Sequence, residues 1–211
     1  LKVIAGISKK DYTILDFISL ENKNNIDKLT ENAIKNAKNT FEDSELIASI
    51  VSNVSEGLAN QVVEEVSKTS TDEKQTLSAK VLQAIVDTEP DKIDIIDDEI
   101  KDTMIQQTIE SAKNQEEGTV VQEQEDLTDI VSDIIIKTDT ETATKIIEEV
   151  NNTDTDTNLS LKVISGISEK DSEKLETLSQ NNKETIDELT ENAVENAENT
   201  KEDSELIAKV V

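Results

Sequence analysis

The sequence predicts an all-α fold of tandem repeats. Each repeat spans about 80 residues and holds four helices (short, long, short, short), stacked as a right-handed-type α-solenoid or a helical rod. Three observations predict it. Residues 1–51 return at 161–211 without a gap, with 32 of the 51 aligned positions identical. Apolar residues recur at steps of three and four and hardly alternate, so the period is helical although Val and Ile favour strands by propensity. Four Gly and one Pro are too few for the turns of a sandwich or barrel.

In chain order, Leu1, Ile4 and Ile7, with Val3 beside them, give a short opening helix that breaks at Ser8 to Asp11. A long helix is expected over 12–39, because Leu15, Ile18, Asn22, Ile26, Leu29, Ala33 and Ala37 form one continuous stripe. Its weak point is the polar run Glu21–Asn25. A turn at Thr40 to Asp43 leads to a third helix, capped by Asp43 or Ser44, with Leu46, Ile47, Ile50, Val51 and Val54 facing a core. After Ser55-Glu56-Gly57, a closing helix carries Leu58, Ala59, Val62, Val63 and Val66.

The pattern then starts again. Leu77, Val81, Leu82, Ile85 and Val86 form a second opening helix, and Pro90 marks a turn or a first helical position. A second long helix is expected from Asp91 to Asn114, with Ile93, Ile96, Ile100, Met104, Ile105, Ile109 and Ala112. Gln115–Gln124 reads as a loop. Leu127, Ile130, Val131, Ile134 and Ile135 mark the third helix of this unit, and Ala143, Ile146, Ile147 and Val150 its closing helix. Asn151–Asn158 reads as a loop, and the third set begins at Leu159. The repeats therefore divide as 1–76, 77–158 and a partial 159–211, the odd ones more alike than either is to the even one. The chain lacks an initiating Met and stops at Val211 inside a helical pattern, so it reads as a segment of a longer protein. The short helices are about three turns long, below what stands alone in water, so neighbours must hold them.

Composition narrows the partners. With 48 acidic against 21 basic residues the net charge is −27, which disfavours nucleic acid and anionic membranes. No apolar run is long enough for a membrane span. That charge and 34% hydrophobic residues lean toward disorder, but the apolar residues lie in register and can build a thin core without aromatic anchors. The inventory for catalysis is poor. There is no His, Cys or Arg, so acid–base work would fall on carboxylates, Lys or Tyr12. Asp97-Asp98-Glu99 are adjacent and point in different directions on a helix. No enzyme activity, cofactor or metal site is expected. Asp154, Asp156 and Asn158 have the opening spacing of a calcium loop, but Leu159 and Ser165 stand where Gly and the closing Glu belong.

The candidate contact residues between repeats or between chains are Asn32, Asn36 and Asn39, repeated as Asn192, Asn196 and Asn199. They lie on one helical stripe beside Ala33 and Ala37, where an amide ladder could form against a close helix. Lys28, Lys35 and Lys38 become Glu188, Glu195 and Glu198, a change of sign expected of exposed surface.

By period and helix count the chain resembles helical-hairpin solenoids of the HEAT or armadillo kind, with two hairpins per unit. It is also similar to rods of small helical bundles in giant bacterial surface proteins. The expected function is a non-enzymatic structural or scaffolding segment of a large protein, possible settings being a cell-surface or extracellular fibre. Its partners would be neighbouring repeats or chains, or another protein. The alternative is a solenoid that grips a basic protein in an acidic groove, and a third reading is a calcium-tightened surface fibre.

Overall fold

The computed structural model describes residues 1–21, 23–38, 40–70, 76–116, 126–154, 158–197 and 200–210. The described residues are helical, with no strand among them. The chain forms two compact units, Leu1–Gln107 and Thr108–Val211.

The first unit contains α1 (Lys2–Glu21), α2 (Lys23–Lys35), α3 (Phe41–Asn53), α4 (Glu56–Thr69), α5 (Leu77–Thr88), a 3-10 helix (Pro90–Ile95) and the first part of α6 (Asp98–Glu116). α3 lies at its centre and packs on α1, α4 and α5, while α2 packs on α1 and α4. The buried side chains of α4 are Leu58, Ala59, Val62, Val63, Val66 and Ser67, the expected stripe plus one hydroxyl. In α5 the buried set includes Leu77, Val81, Leu82, Ile85 and Val86, as the helical period requires. Gln107 ties α6 to this unit: its amide donates to Ser67 O at 2.8 Å and its Oε1 accepts from Ser78 at 2.6 Å.

The second unit contains the rest of α6, α7 (Leu127–Lys137), α8 (Thr140–Thr153), α9 (Leu159–Lys170), α10 (Ser172–Asn181), α11 (Lys183–Glu195) and α12 (Lys201–Val210). α9 is its centre, packed on α7, α8, α10, α11 and α12, and α8 packs on α7, α10 and α11. Gln115 Oε1 accepts from Leu127 N at 2.7 Å, which ties the end of α6 to the start of α7.

The cores are aliphatic. Phe17 and Phe41 are exposed. Small hydroxyl residues stand where aromatics would otherwise fill space. Ser44, Ser78, Ser132, Ser160 and Ser165 are buried, and Ser132 and Ser165 bond the carbonyls four residues back, Thr128 O and Leu161 O. A helix face made of serine and glycine lets another backbone come close.

Four sequence expectations are corrected. The long helix is not continuous. In the second unit it divides at Asn182 (φ −141°, ψ 64°) into α10 and α11. In the first unit the bend at Asp11 (φ −161°, ψ 91°) falls inside the expected break, and the stretch after it divides into the tail of α1, ending at Glu21, and α2, beginning at Lys23, at the expected weak point. The even copy begins as the 3-10 helix and becomes α-helical only at Asp98. At Asp11 and Asn182 the bend gives a short polar side chain a bond that helix would deny it: Asp11 Oδ1 accepts from Thr13 N at 3.1 Å, and Asn182 Nδ2 donates to Thr144 Oγ1 at 2.7 Å. The opening helix also runs to Lys10 instead of ending at Ser8. The cap of α3 is Thr40, which accepts from Asp43 N; Asp43 sits in the first turn and accepts from Lys38 N at 2.7 Å. Finally, α6 continues to Glu116 and α8 to Thr153, shortening the expected loops, while 117–125 and 155–157 lie outside the described residues.

Candidate interaction site

The clearest site is defined by two copies of one sequence in different surroundings. Leu29 and Leu189 are equivalent, as are Val3 and Val163, Ile34 and Val194, and Ser44 and Ser204. Leu29 is 49% exposed and Leu189 is fully buried; Val3 is 73% exposed and Val163 is fully buried. One turn along, the relation reverses: Ile34 is fully buried and Val194 is 59% exposed.

The neighbours explain this. α2 packs on α1 and on α4, a helix later in the chain, and buries Thr30, Ile34 and Ala37. α11 packs on α9 and on α8, a helix earlier in the chain, and buries Ile186, Leu189 and Ala193. The shared sequence thus carries two apolar stripes, one for a preceding helix and one for a following helix. The expected stripe is core at Leu189 and Ala193 in one copy, whereas in the other Leu29 is exposed and Ala33 half-buried, which corrects its reading as core throughout. α3 and α12 show the same thing. α3 packs on α1, α4 and α5 and buries Ser44, Ile47 and Ala48, whereas in α12 Ser204 and Ala208 are exposed and Ile207 is half-buried.

The uncovered stripe of the first unit lines an open groove of about 510 Å³, bounded by Leu1, Lys2, Val3, Leu29, Asn32, Ala33, Asn36 and Asp43. Asn32 and Asn36 are exposed on its wall, and the Asn36 amide donates to Asn32 O of its own helix at 2.7 Å. Asn192 and Asn196 are half-buried. Asn39 and Asn199 lie outside the described residues. Lys28, Lys35, Lys38, Glu188 and Glu195 are exposed, and Glu198 lies outside the described residues.

In the second unit the equivalent surface is covered by α7 and α8, and its polar contacts can be read off. Ser132 Oγ lies 3.3 Å from Val163 O. A Cβ on Gly166 would stand 2.5 Å from Ser132 Oγ, so only glycine admits this approach. Lys170 bonds Asp129 and Asp133 at 3.0 Å each. Burial disfavours its charge, but hydrogen bonds and attraction from the two carboxylates outweigh that and leave its pKa raised. Lys174 donates to Thr138 O at 2.6 Å, and its burial pulls its pKa down. Asn151 donates to Thr185 O at 3.1 Å. In the first unit, Asn60 of α4 makes a two-sided contact of this kind, donating to Ile95 O at 3.2 Å and accepting from Asp97 N at 2.8 Å.

Amide side chains therefore do bond from helix to helix, at Asn60, Asn151 and Asn182. Sequence reasoning missed these. Asn60 and Asn151 lie on the closing helices, on the margin of an apolar stripe, a signal that could have located them. Among the described residues, further shallow clefts include one between α8 and α10 with Thr140, Glu141 and Asn182 and another lined by Thr30, Glu31, Gln61, Glu64 and Glu65. Asp154 is buried with its carboxylate accepting from Ser160 N at 2.8 Å, so it anchors the start of α9. Among the described residues no cluster of acidic side chains could hold a metal ion, and no helix is long and apolar enough to cross a membrane. No protein family, no curated protein and no solved structure matches the chain.

Proposed function

We propose that this chain is a non-enzymatic structural segment, a helical stack in which each hairpin is held by the one before it and the one after it. The observation that carries the reading is the exchange at Leu29 and Leu189, together with its reverse at Ile34 and Val194. A helix of a closed globule needs one apolar stripe. A helix with two stripes, each buried in a different copy, is what a row of repeats of about 80 residues requires, because every interior member touches two neighbours. The two hairpins of a unit would then form layers of a solenoid, and the array would supply length and surface to a larger assembly. Same-sign charge keeps such arrays apart laterally.

The acidic-groove alternative draws less support. Glu31, Glu64 and Glu65 do line one cleft, but Lys35 pairs with Glu31, and Lys68 pairs with Glu64 at 2.7 Å and Glu65 at 3.4 Å. The carboxylates are matched locally instead of being held open for a basic ligand.

Small-angle scattering tests the proposal. Chains carrying one and two further copies of residues 1–160 are compared with the parent. A stack lengthens in proportion to the residues added. Growth of the radius of gyration with about the 0.38 power of length, as for a compact globule, would overturn it.

A further inference from the structure

We propose that the groove on α1 and α2 is a docking site for a helical hairpin with the chemistry of α7 and α8. The inference rests on the stacking reading above and adds to it what the free face of the first unit recognises.

The second unit supplies the template. Leu161-Lys162-Val163-Ile164 and Gly166-Ile167-Ser168 repeat Leu1-Lys2-Val3-Ile4 and Gly6-Ile7-Ser8 without change. There α9 lies against α7, and α11 lies against α8. Val163 and Leu189 are sealed, and Gly166 admits Ser132. Lys170 meets Asp129 and Asp133.

Every one of these acceptors is present and uncovered in the first unit. Val3 and Leu29 are exposed. A Cβ on Gly6 would meet nothing within 4 Å, so the glycine serves no close contact among the described residues. A glycine inside a helix is unfavourable relative to alanine, and a close approach is what would offset it. Lys10, the equivalent of Lys170, is exposed. Charge agrees: residues 1–10 hold three lysines and no acid in a chain whose net charge is −27, and although Lys2 pairs with Glu42 at 2.6 Å, Lys9 and Lys10 remain exposed.

The fitting occupant is therefore an acidic helical hairpin. Its first helix places a small hydroxyl residue over Gly6 and carboxylates opposite Lys10, and the pair of helices covers Val3 and Leu29.

The test is a fusion that places residues 126–160 ahead of Leu1, with Ser160 joined to Leu1 as it is joined to Leu161 in the chain. The fusion is expected to raise the urea midpoint and to slow amide exchange over residues 3–8 by about tenfold or more. Gly6→Leu is expected to abolish both gains in the fusion while leaving the unfused chain at least as stable as before, since leucine is the better helix former. A fusion without gain, or a gain indifferent to Gly6→Leu, overturns the proposal. So does self-association of the unfused chain that Val3→Asp abolishes, since the occupant would then be a second copy. Any of these failures leaves the scattering result above untouched, so the stack and its docking face are judged separately.

Discussion

Ser132 lies directly over Gly166, with its hydroxyl where a side chain on that glycine would begin. Gly6 has the same neighbours from Leu1 to Ser8 except Ala5 in place of Ser165, and empty space in place of the serine. Gly6→Ala should therefore stabilise the chain by about 1 kcal/mol, the helix-propensity gain. Gly166→Ala has the same gain but must push Ser132 aside, which costs about 1–3 kcal/mol. Urea unfolding of the two variants should place Gly166→Ala the lower. Equal midpoints would show that α7 and α9 are not in close contact.

Leu189→Ala opens a cavity in a sealed site and should cost about 2–5 kcal/mol. Leu29→Ala, at the equivalent exposed position, should stay within about 0.5 kcal/mol. The same urea titration reads both. A large loss at Leu29 would mean that its stripe is covered in solution.

Asn60 serves the bend before α6 from both sides of its amide. Asn60→Ala removes both bonds and should cost about 1–2 kcal/mol, since the freed Ile95 carbonyl and Asp97 amide can partly recover water. Amide exchange at Asp97 should speed up more than exchange in α3. Uniform acceleration across both would argue that Asn60 acts through packing alone.

Lys170 gives a pH dependence of definite sign. Its folded pKa is raised above the ordinary 10.5. Its contribution is therefore complete below that pH and is lost as pH rises through the higher folded value. Because the group is partly exposed, the effect is about 1 kcal/mol or less. Lys170→Met should narrow its stability gap to the parent as pH climbs above 10.5. A gap that widened there would contradict the assignment.

The net charge of −27 sets the response to salt. Repulsion among like charges disfavours the compact state, and ions shorten its range. Raising sodium chloride from about 0.01 M to about 0.15 M reduces the Debye length from about 30 to about 8 Å and should raise the melting temperature. A fall would mean that attractive pairs such as Lys170 with its two aspartates outweigh the general repulsion.

Much of this was legible from residue order. Leu58, Ala59, Val62, Val63 and Val66 are buried as their spacing predicts, as are Ile130, Val131, Ile134 and Ile135. A period identifies a face whenever one neighbour dominates. It fails on α2, where Leu29 and Ile34 belong to different stripes, because spacing records apolar positions and not which neighbour is present. The break at Asn182 falls in the later copy of the polar run Glu21–Asn25, the expected weak point, but its cause was obscured. Asn occupies a regular stripe position, and only the distant Thr144 hydroxyl reveals why the helix stops there. The roles of Asn60 and Asn151 depend on partners 34 to 37 residues away, beyond any local pattern.

The doubled stripe on α2 and α11 has a genetic corollary. A stretch of coding sequence that already specifies both adhesive sides can be copied or lost as a whole, and the new neighbours still fit without compensating substitutions. If the copies stack as proposed, unequal recombination would reset the reach of such a protein in single events, while mutation that disturbs one side alone would be exposed to selection wherever that side faces another helix.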